Sequence, residues 1–337
     1  MINKIASTII LLMLSTTIVC SLPTAKITIR VIDESGEVVE NAKVGAAIEK
    51  PKKKGIGSDS KNVRGLTDKN GMYTVSGSSE PHIGFSVTKD GYYKSIGRFK
   101  EFTGVTGFYG LRKWKPWNPT IDVVLKKIIN PIPLFVAENI GKGITYDPPA
   151  ILPEEGRDFG YDLIANDWVV PYGQGLHSDF IFKIIVDRYV DASDYDSTMF
   201  LNFTSPDDGI QPFYQHKIRG SKLRSSHNAP KDKYENVLKI RYLAEKNKIK
   251  NLPIKDNQNY YFRVRTKRDD KGNIVEALYG KIYGNIEFLM PRNEDKGEIY
   301  FSYYLNPNNN DTNIEFSPEK NLFPKPKRLR GKYSFKP

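Results

Sequence analysis

Cysteine is almost absent: the 337 residues hold one, Cys20. A single thiol near the start of a chain closes no internal disulfide and offers no multi-cysteine metal site. Histidine is scarce as well, at four. None falls in an HExxH or HxH spacing, which would bring two imidazoles to one metal ion. The serine elbow GxSxG, the phosphate loop and the dinucleotide fingerprint are missing; Gly55-Ile56-Gly57 is too short and lies in no strand–helix–strand setting. The sequence therefore assigns no catalytic residue, no metal and no cofactor, and it leans away from an enzyme.

Hydrophobic runs are few. The longest uncharged apolar stretch is Ile5–Val19, behind Lys4. It has the length of a secretory core and falls short of the ~20 residues of a membrane span. We read residues 1–21 as an export signal cleaved after Ser21, which leaves no transmembrane span in 22–337. Two alternatives stay open: an uncleaved anchor, and lipidation of Cys20. Against lipidation, Val19 stands where a lipoprotein signal carries a small residue. The expected location is exported: periplasmic, cell-surface or secreted.

What is plentiful is aromatic and turn-forming: 20 Tyr, 17 Phe, 26 Gly and 21 Pro. Gly and Pro this frequent interrupt long helices and punctuate short strands. The formal net charge is +12. Such a charge draws anionic polymers or membrane surfaces; the plainer reading is a generally solvated basic surface, because the cations are spread along the chain.

Lys26–Asp33 alternates apolar and polar residues, the period of a half-buried strand. Asp33-Glu34-Ser35-Gly36 makes a turn. Glu37–Ile48 reads as a second strand, Lys50–Lys61 as a basic loop, and Leu66–Gly71 as a turn into Met72–Val75. His82–Val87 pairs again, Lys89–Tyr93 closes that hairpin, and Thr120–Leu125 is the last strand of the region. The order Val31-Ile-Asp-Glu-Ser-Gly36, Asn41-Ala42, Thr67-Asp68-Lys69-Asn70-Gly71-Met72-Tyr73 and Thr88-Lys89-Asp90-Gly91-Tyr92 resembles the carboxypeptidase-regulatory-like module and its transthyretin-like and Cna-B-like relatives. That resemblance, over 26–127, implies a small β-sandwich serving as a non-catalytic appendage of exported proteins. It transfers no active site. Glu37–Glu40 departs from the usual proline-containing turn, and Lys94–Asn118 reads as an insertion before the last strand.

The insertion interleaves Phe99, Phe102, Phe108, Tyr109, Trp114 and Trp117 with Arg112, Lys113 and Lys115. Aromatics among cations stack on sugars or bases and attract anions. The competing reading is a plug against the second domain or over the open end of the sandwich. Residues 128–158 are Pro-rich and read as a semi-rigid surface linker.

Phe159–Phe323 reads as a second antiparallel β domain, followed by a basic tail at 324–337. Phe180–Val186 is a buried strand, Asp187–Ser197 an acidic loop, and Thr198–Thr204 a strand. Ser205–Gly209 is a turn, and Val237–Leu243 a strand. In Tyr260–Lys267, Tyr260, Phe262 and Val264 face inward, with Arg263, Arg265 and Lys267 outward. Ile274–Tyr279 and Ile299–Leu305 complete the set. This region resembles only uncharacterised exported bacterial proteins, a resemblance that implies no activity. The fold class is all-β: two β-sandwich-like domains joined by the linker.

Each candidate chemistry has a plain alternative. Asp187, Asp191, Asp194 and Asp196 offer oxygens to Ca²⁺, without the spacing of an EF-hand. His177, His216 and His227, with Asp179, Asp207 or Asp208, form a zinc site only if the fold gathers them. Asp162 and Asp167 act as a glycosidase pair only at a separation of about 5–9 Å; beside a tight turn such residues bind local amides. Ligand-binding candidates are Trp114, Trp117, Trp168 and Tyr172, though a Trp in an apolar stretch is more often core. The sequence reading is an exported envelope or secreted protein with a binding, adhesion or assembly role. The expected partner is a cell-wall or other anionic polysaccharide, or an envelope protein, and not nucleic acid. The alternative is an exported glycan- or peptide-directed hydrolase with its site in 159–323.

Overall fold

The computed structural model describes residues 22–52, 56–108, 111–138, 150–191, 193–216, 219–246, 253–289, 296–324 and 337. The expected signal, its cleavage after Ser21 and Cys20 lie outside the described residues. So do Gly55, Tyr109, residues 139–149 of the expected linker and residues 325–336 of the tail. Among the described residues there is no helix, and the chain is all-β.

The first unit comprises β1 (Thr24–Asp33), β2 (Lys43–Pro51), β3 (Ser58–Leu66), β4 (Met72–Ser78), β5 (Ile83–Thr88), β6 (Ser95–Phe99), β7 (Gly104–Thr106), β8 (Lys113–Lys115) and β9 (Thr120–Leu125). One sheet has β1 at its centre, antiparallel to β4 and parallel to β8 and β9, with β7 beyond β8. The other runs β6-β5-β2-β3. Period-2 alternation puts Ala25, Ile27, Ile29 and Val31 of β1 on one inner face and Val44, Ala46 and Ile48 of β2 on the other, all at most 3% exposed. Together they close a β-sandwich core.

Two expectations are corrected here. The loop read at Lys50–Lys61 is a hairpin, in which β2 and β3 pair from Lys43↔Leu66 to Pro51↔Ser58. β3 is an edge strand whose first five residues are all exposed, so only its far end, where part-buried Val63 packs on the core, alternates. The region read as an insertion supplies β6, β7 and β8. Its indole Trp114 packs 6.1 Å from Phe102 and donates to the Ser79 carbonyl at 2.8 Å.

The second unit comprises β10 (Ile132–Glu138), β11 (Ala150–Ile151), β12 (Phe159–Asp162), β13 (Asp167–Trp168), β14 (Phe180–Asp191), β15 (Asp194–Asn202), β16 (Gly209–Tyr214), β17 (Gly220–Ser221), β18 (Val237–Ala244), β19 (Gln258–Arg268), β20 (Ile274–Ile282), β21 (Glu287–Leu289), β22 (Glu298–Tyr300), β23 (Ser302–Leu305) and β24 (Phe316–Asn321). A six-stranded sheet, β16-β19-β20-β23-β10-β24, and a five-stranded sheet, β13-β12-β14-β15-β18, share one core; β11-β22-β21 is a small third sheet. Phe180 and Phe182 from one side meet Phe262 and Tyr303 from the other, all four fully buried. Phe180 and Phe262 lie edge to face, 5.1 Å apart. Each such phenyl contributes roughly 1.5–3 kcal/mol by leaving water.

Four departures have physical reasons. Residues 132–138, read as surface linker, form β10, an inner strand with Leu134 and Val136 buried. Pro133 falls where the register with β24 breaks between Ile132 and Leu134, a site where its missing N–H is tolerated. The acidic loop at Asp187–Ser197 is the tip of a long β14–β15 hairpin. Ile299–Leu305 breaks at Phe301, with β22 in the small sheet and β23 in the six-stranded one. Arg263, expected outward, is 6% exposed: its guanidinium donates to the carbonyls of Asp207 and Lys231 and lies 5.0 Å over the Tyr234 ring.

Candidate functional site

The two units meet around the end of β9. β17, from the second unit, pairs antiparallel with β6 and becomes the fifth strand of a first-unit sheet. Lys126 Nζ donates to the Ser225 carbonyl at 2.8 Å, and His227 Nε2 donates to that of Lys127 at 2.7 Å. Buried Glu315 receives the Tyr93 hydroxyl at 2.7 Å and the amides of Ile129 and Asn130 at 2.9 and 2.7 Å. Burial, then the Glu315 carboxylate, pushes the Tyr93 phenol far above its ordinary value. Behind this lies Lys281, wholly buried between the Tyr283 and Tyr304 rings, its ammonium 2.9 Å from the Tyr283 hydroxyl.

Beside the junction a cleft of about 370 Å³ opens between β6, β9 and β17. Phe85, Ile96, Phe99, Ile121 and Val123 give it an apolar lining. Arg98, Lys126 and Arg219 bring positive charge to it, against Glu101 and Asp122. Asp122 is bound at both oxygens by Arg30, at 2.7 and 2.6 Å, while Arg98 is bound to Glu49 at 3.1 Å and Lys126 lies 3.9 Å from Glu34, so charge of both signs is partly neutralised. Chemically this arrangement offers apolar surface beside charged side chains of both signs.

Most of the expected chemistry groups are engaged elsewhere. Asp162 accepts the amides of Ile164 and Ala165 on one oxygen and those of Leu176 and His177 on the other, with Arg265 added at 3.0 Å. Asp167 accepts Trp168 N and Gln174 N. These carboxylates hold the turn around Gly173 and Gly175, the local-amide role that competed with the glycosidase pair. Of the four acids considered for Ca²⁺, Asp191 binds the Ser193 amide and hydroxyl, Asp194 takes Arg188 and Asp196 takes Arg241. His177 is exposed and His227 is engaged at the junction.

Trp168 is 6% exposed, edge-on to Tyr161 at 5.2 Å, and so belongs to the core. Trp114 is part-buried. Trp117 and Tyr172 are exposed, at 41% and 49%. Trp117 already carries Lys113 over its ring at 4.7 Å, and Tyr172 stands edge-on to Phe159 at 4.9 Å. The four aromatics are divided between the two units and line no part of the cleft.

His82, the histidine outside the expected group, is set between two carboxylates. Its Nε2 lies 2.9 Å from Glu49 Oε2 and 3.9 Å from Glu80 Oε2. The Glu80-x-His82 spacing was the available sequence signal; Glu49, 33 residues away, carried none.

No protein-family model matches this chain, and no curated protein matches it. Among solved structures, 3-chlorocatechol 1,2-dioxygenase from Rhodococcus opacus is similar over 32% of the chain, at 11% identity and a TM-score of 0.25. Catechol 1,2-dioxygenase from Acinetobacter radioresistens is similar over 32%, at 18% identity and a TM-score of 0.24. The chain spans 61% and 53% of those two proteins. The major pilin subunit of Bacillus cereus is similar over 82% of this chain and 95% of its own, at 11% identity and a TM-score of 0.22. No residue role is taken from any of them.

Proposed function

We propose that this is an exported, non-catalytic envelope or secreted protein that binds an anionic polymer or an acidic partner segment through the cleft beside β6, β9 and β17. In this reading the first unit is a carboxypeptidase-regulatory-like module, and the second holds one wall of its ligand site in place. The observation that carries the proposal is the cleft itself: an apolar lining under Arg98, Lys126 and Arg219, at a junction fixed by Glu315. The occupation of Asp162 and Asp167 by backbone amides supports a binding role over hydrolysis. Cys20 lipidation would add an anchor without changing the site.

The test is co-sedimentation of residues 22–337 with insoluble peptidoglycan and with anionic polysaccharides, at low and high salt. A specific site predicts binding to one polymer that survives salt and falls at least tenfold in Arg219→Glu. Binding that salt abolishes reduces to the net charge of +12. Release of soluble fragments from the polymer would overturn the non-catalytic reading.

A further inference from the structure

We propose that Glu49, Glu80 and His82 form a binding site for a divalent transition metal of the zinc class. One donor atom from each of the three lies within 4.8 Å of the other two. Ligands at about 2.0–2.2 Å around a tetrahedral zinc stand roughly 3.3 Å apart. The distances of 2.9 and 3.9 Å from His82 Nε2 straddle that value, so a small rotation of the Glu80 carboxylate completes three corners and leaves the fourth to water. One imidazole with two carboxylates suits zinc; calcium asks for six to eight oxygens.

The surroundings favour coordination over a bare ion pair. Each carboxylate has its other oxygen held from outside the trio. Arg98 Nη2 donates to Glu49 Oε1 at 3.1 Å, and Ser58 Oγ donates to Glu80 Oε1 at 3.2 Å. The two remaining oxygens are the ones that converge on His82. Outer donors of this kind orient metal ligands and tune their basicity. The turn that carries Glu80 and His82 is itself clamped. Glu80 N donates to the Glu49 carbonyl at 2.8 Å, the Ser79 hydroxyl reaches the carbonyls of Glu49 and His82, and Trp114 Nε1 holds the Ser79 carbonyl. Side-chain exposures of 18–25% leave the trio open enough for an ion to enter. The site lies at the end of β2; its three donor residues are outside the lining of the junction cleft, to which Arg98 links it. A metal there would cross-link β2 to the turn between β4 and β5.

The experiment uses the untagged full chain, stripped with a chelator and titrated with cobalt(II) alone, then with zinc(II). We expect one equivalent of cobalt to give the visible absorption of a four-coordinate ion, and zinc to displace it. His82→Ala and Glu49→Gln should each weaken affinity at least tenfold, and His177→Ala should leave it unchanged. If His82→Ala fails to fold, Glu80→Gln reads the same loss, because its carboxamide keeps the Ser58 hydrogen bond. Absence of stoichiometric binding, or equal binding by the folded variants, overturns the proposal and leaves His82–Glu49 as an ion pair only.

Discussion

Arg265 grips Asp179 at both carboxylate oxygens, Nε to Oδ1 at 2.7 Å and Nη2 to Oδ2 at 2.8 Å. The same guanidinium reaches Asp162, so a single side chain of β19 secures both ends of the 162–179 turn. Burial pushes the Asp179 carboxyl up, against the pull of Arg265. Arg265→Ala would leave Asp179, 2% exposed, without its counter-charge. Removing one partner of such a pair costs about 3–5 kcal/mol. The expected outcome is a lower urea midpoint with an unchanged slope; a shift worth less than ~1 kcal/mol would reject the pairing as a stabilising element.

Asp33 carries a pH dependence. The Ser35 hydroxyl first, then the Lys127 ammonium, hold its carboxyl down at about 2. A carboxylate lowered by folding contributes stability above the unfolded value, ~3.9 for Asp. That contribution fades as pH falls from about 4 towards about 2. Asp33→Asn should therefore be less stable than the parent at pH 6, with the gap shrinking through that window. A gap that stays constant from pH 6 to pH 2 contradicts the assignment.

Lys281 should cost stability at neutral pH. Burial, reinforced by Arg224 and Lys126, lowers its ammonium well below the usual lysine range, although the Tyr283 and Tyr304 rings favour the charged form. The full desolvation of a wholly buried amine outweighs two ring contacts. Because the folded value lies below the unfolded one, the cost is greatest at low pH and vanishes near ~10.4. Lys281→Met, of similar length, is expected to raise stability at pH 7 by about 1–4 kcal/mol, with the gain shrinking towards pH 10. Thermal or urea unfolding at both pH values checks the size and the sign.

The first strand was legible in sequence because it has one wetter face and one dry face, whereas β19, read the same way, is buried on both faces from Asn259 to Val264. β1 alternates because Lys26 and Arg30 stand outside while Ile27, Ile29 and Val31 stand inside. β3 is wet along its first five residues, and β10 hides behind two prolines, one placed at a bulge. Arg265 looked like an outward charge because its acids lie 86 and 103 residues away, beyond the reach of any local pattern. The turn chemistry around Asp162 and Asp167 was readable because Asp bonds its own neighbourhood, whereas the junction cleft and the His82 trio are gathered by pairings across the chain. The fold was thus visible wherever it rests on periodicity, and the sites were hidden because they rest on contact.

β10 follows the first unit after only a few residues and lies between β23 and β24. A pull along the chain from the first unit would reach the second through a strand one place in from the edge of its six-stranded sheet. The hydrogen bonds on both flanks of β10 would then be loaded together in shear instead of unzipping singly from an edge. That makes the passage between the units a mechanically stiff coupling.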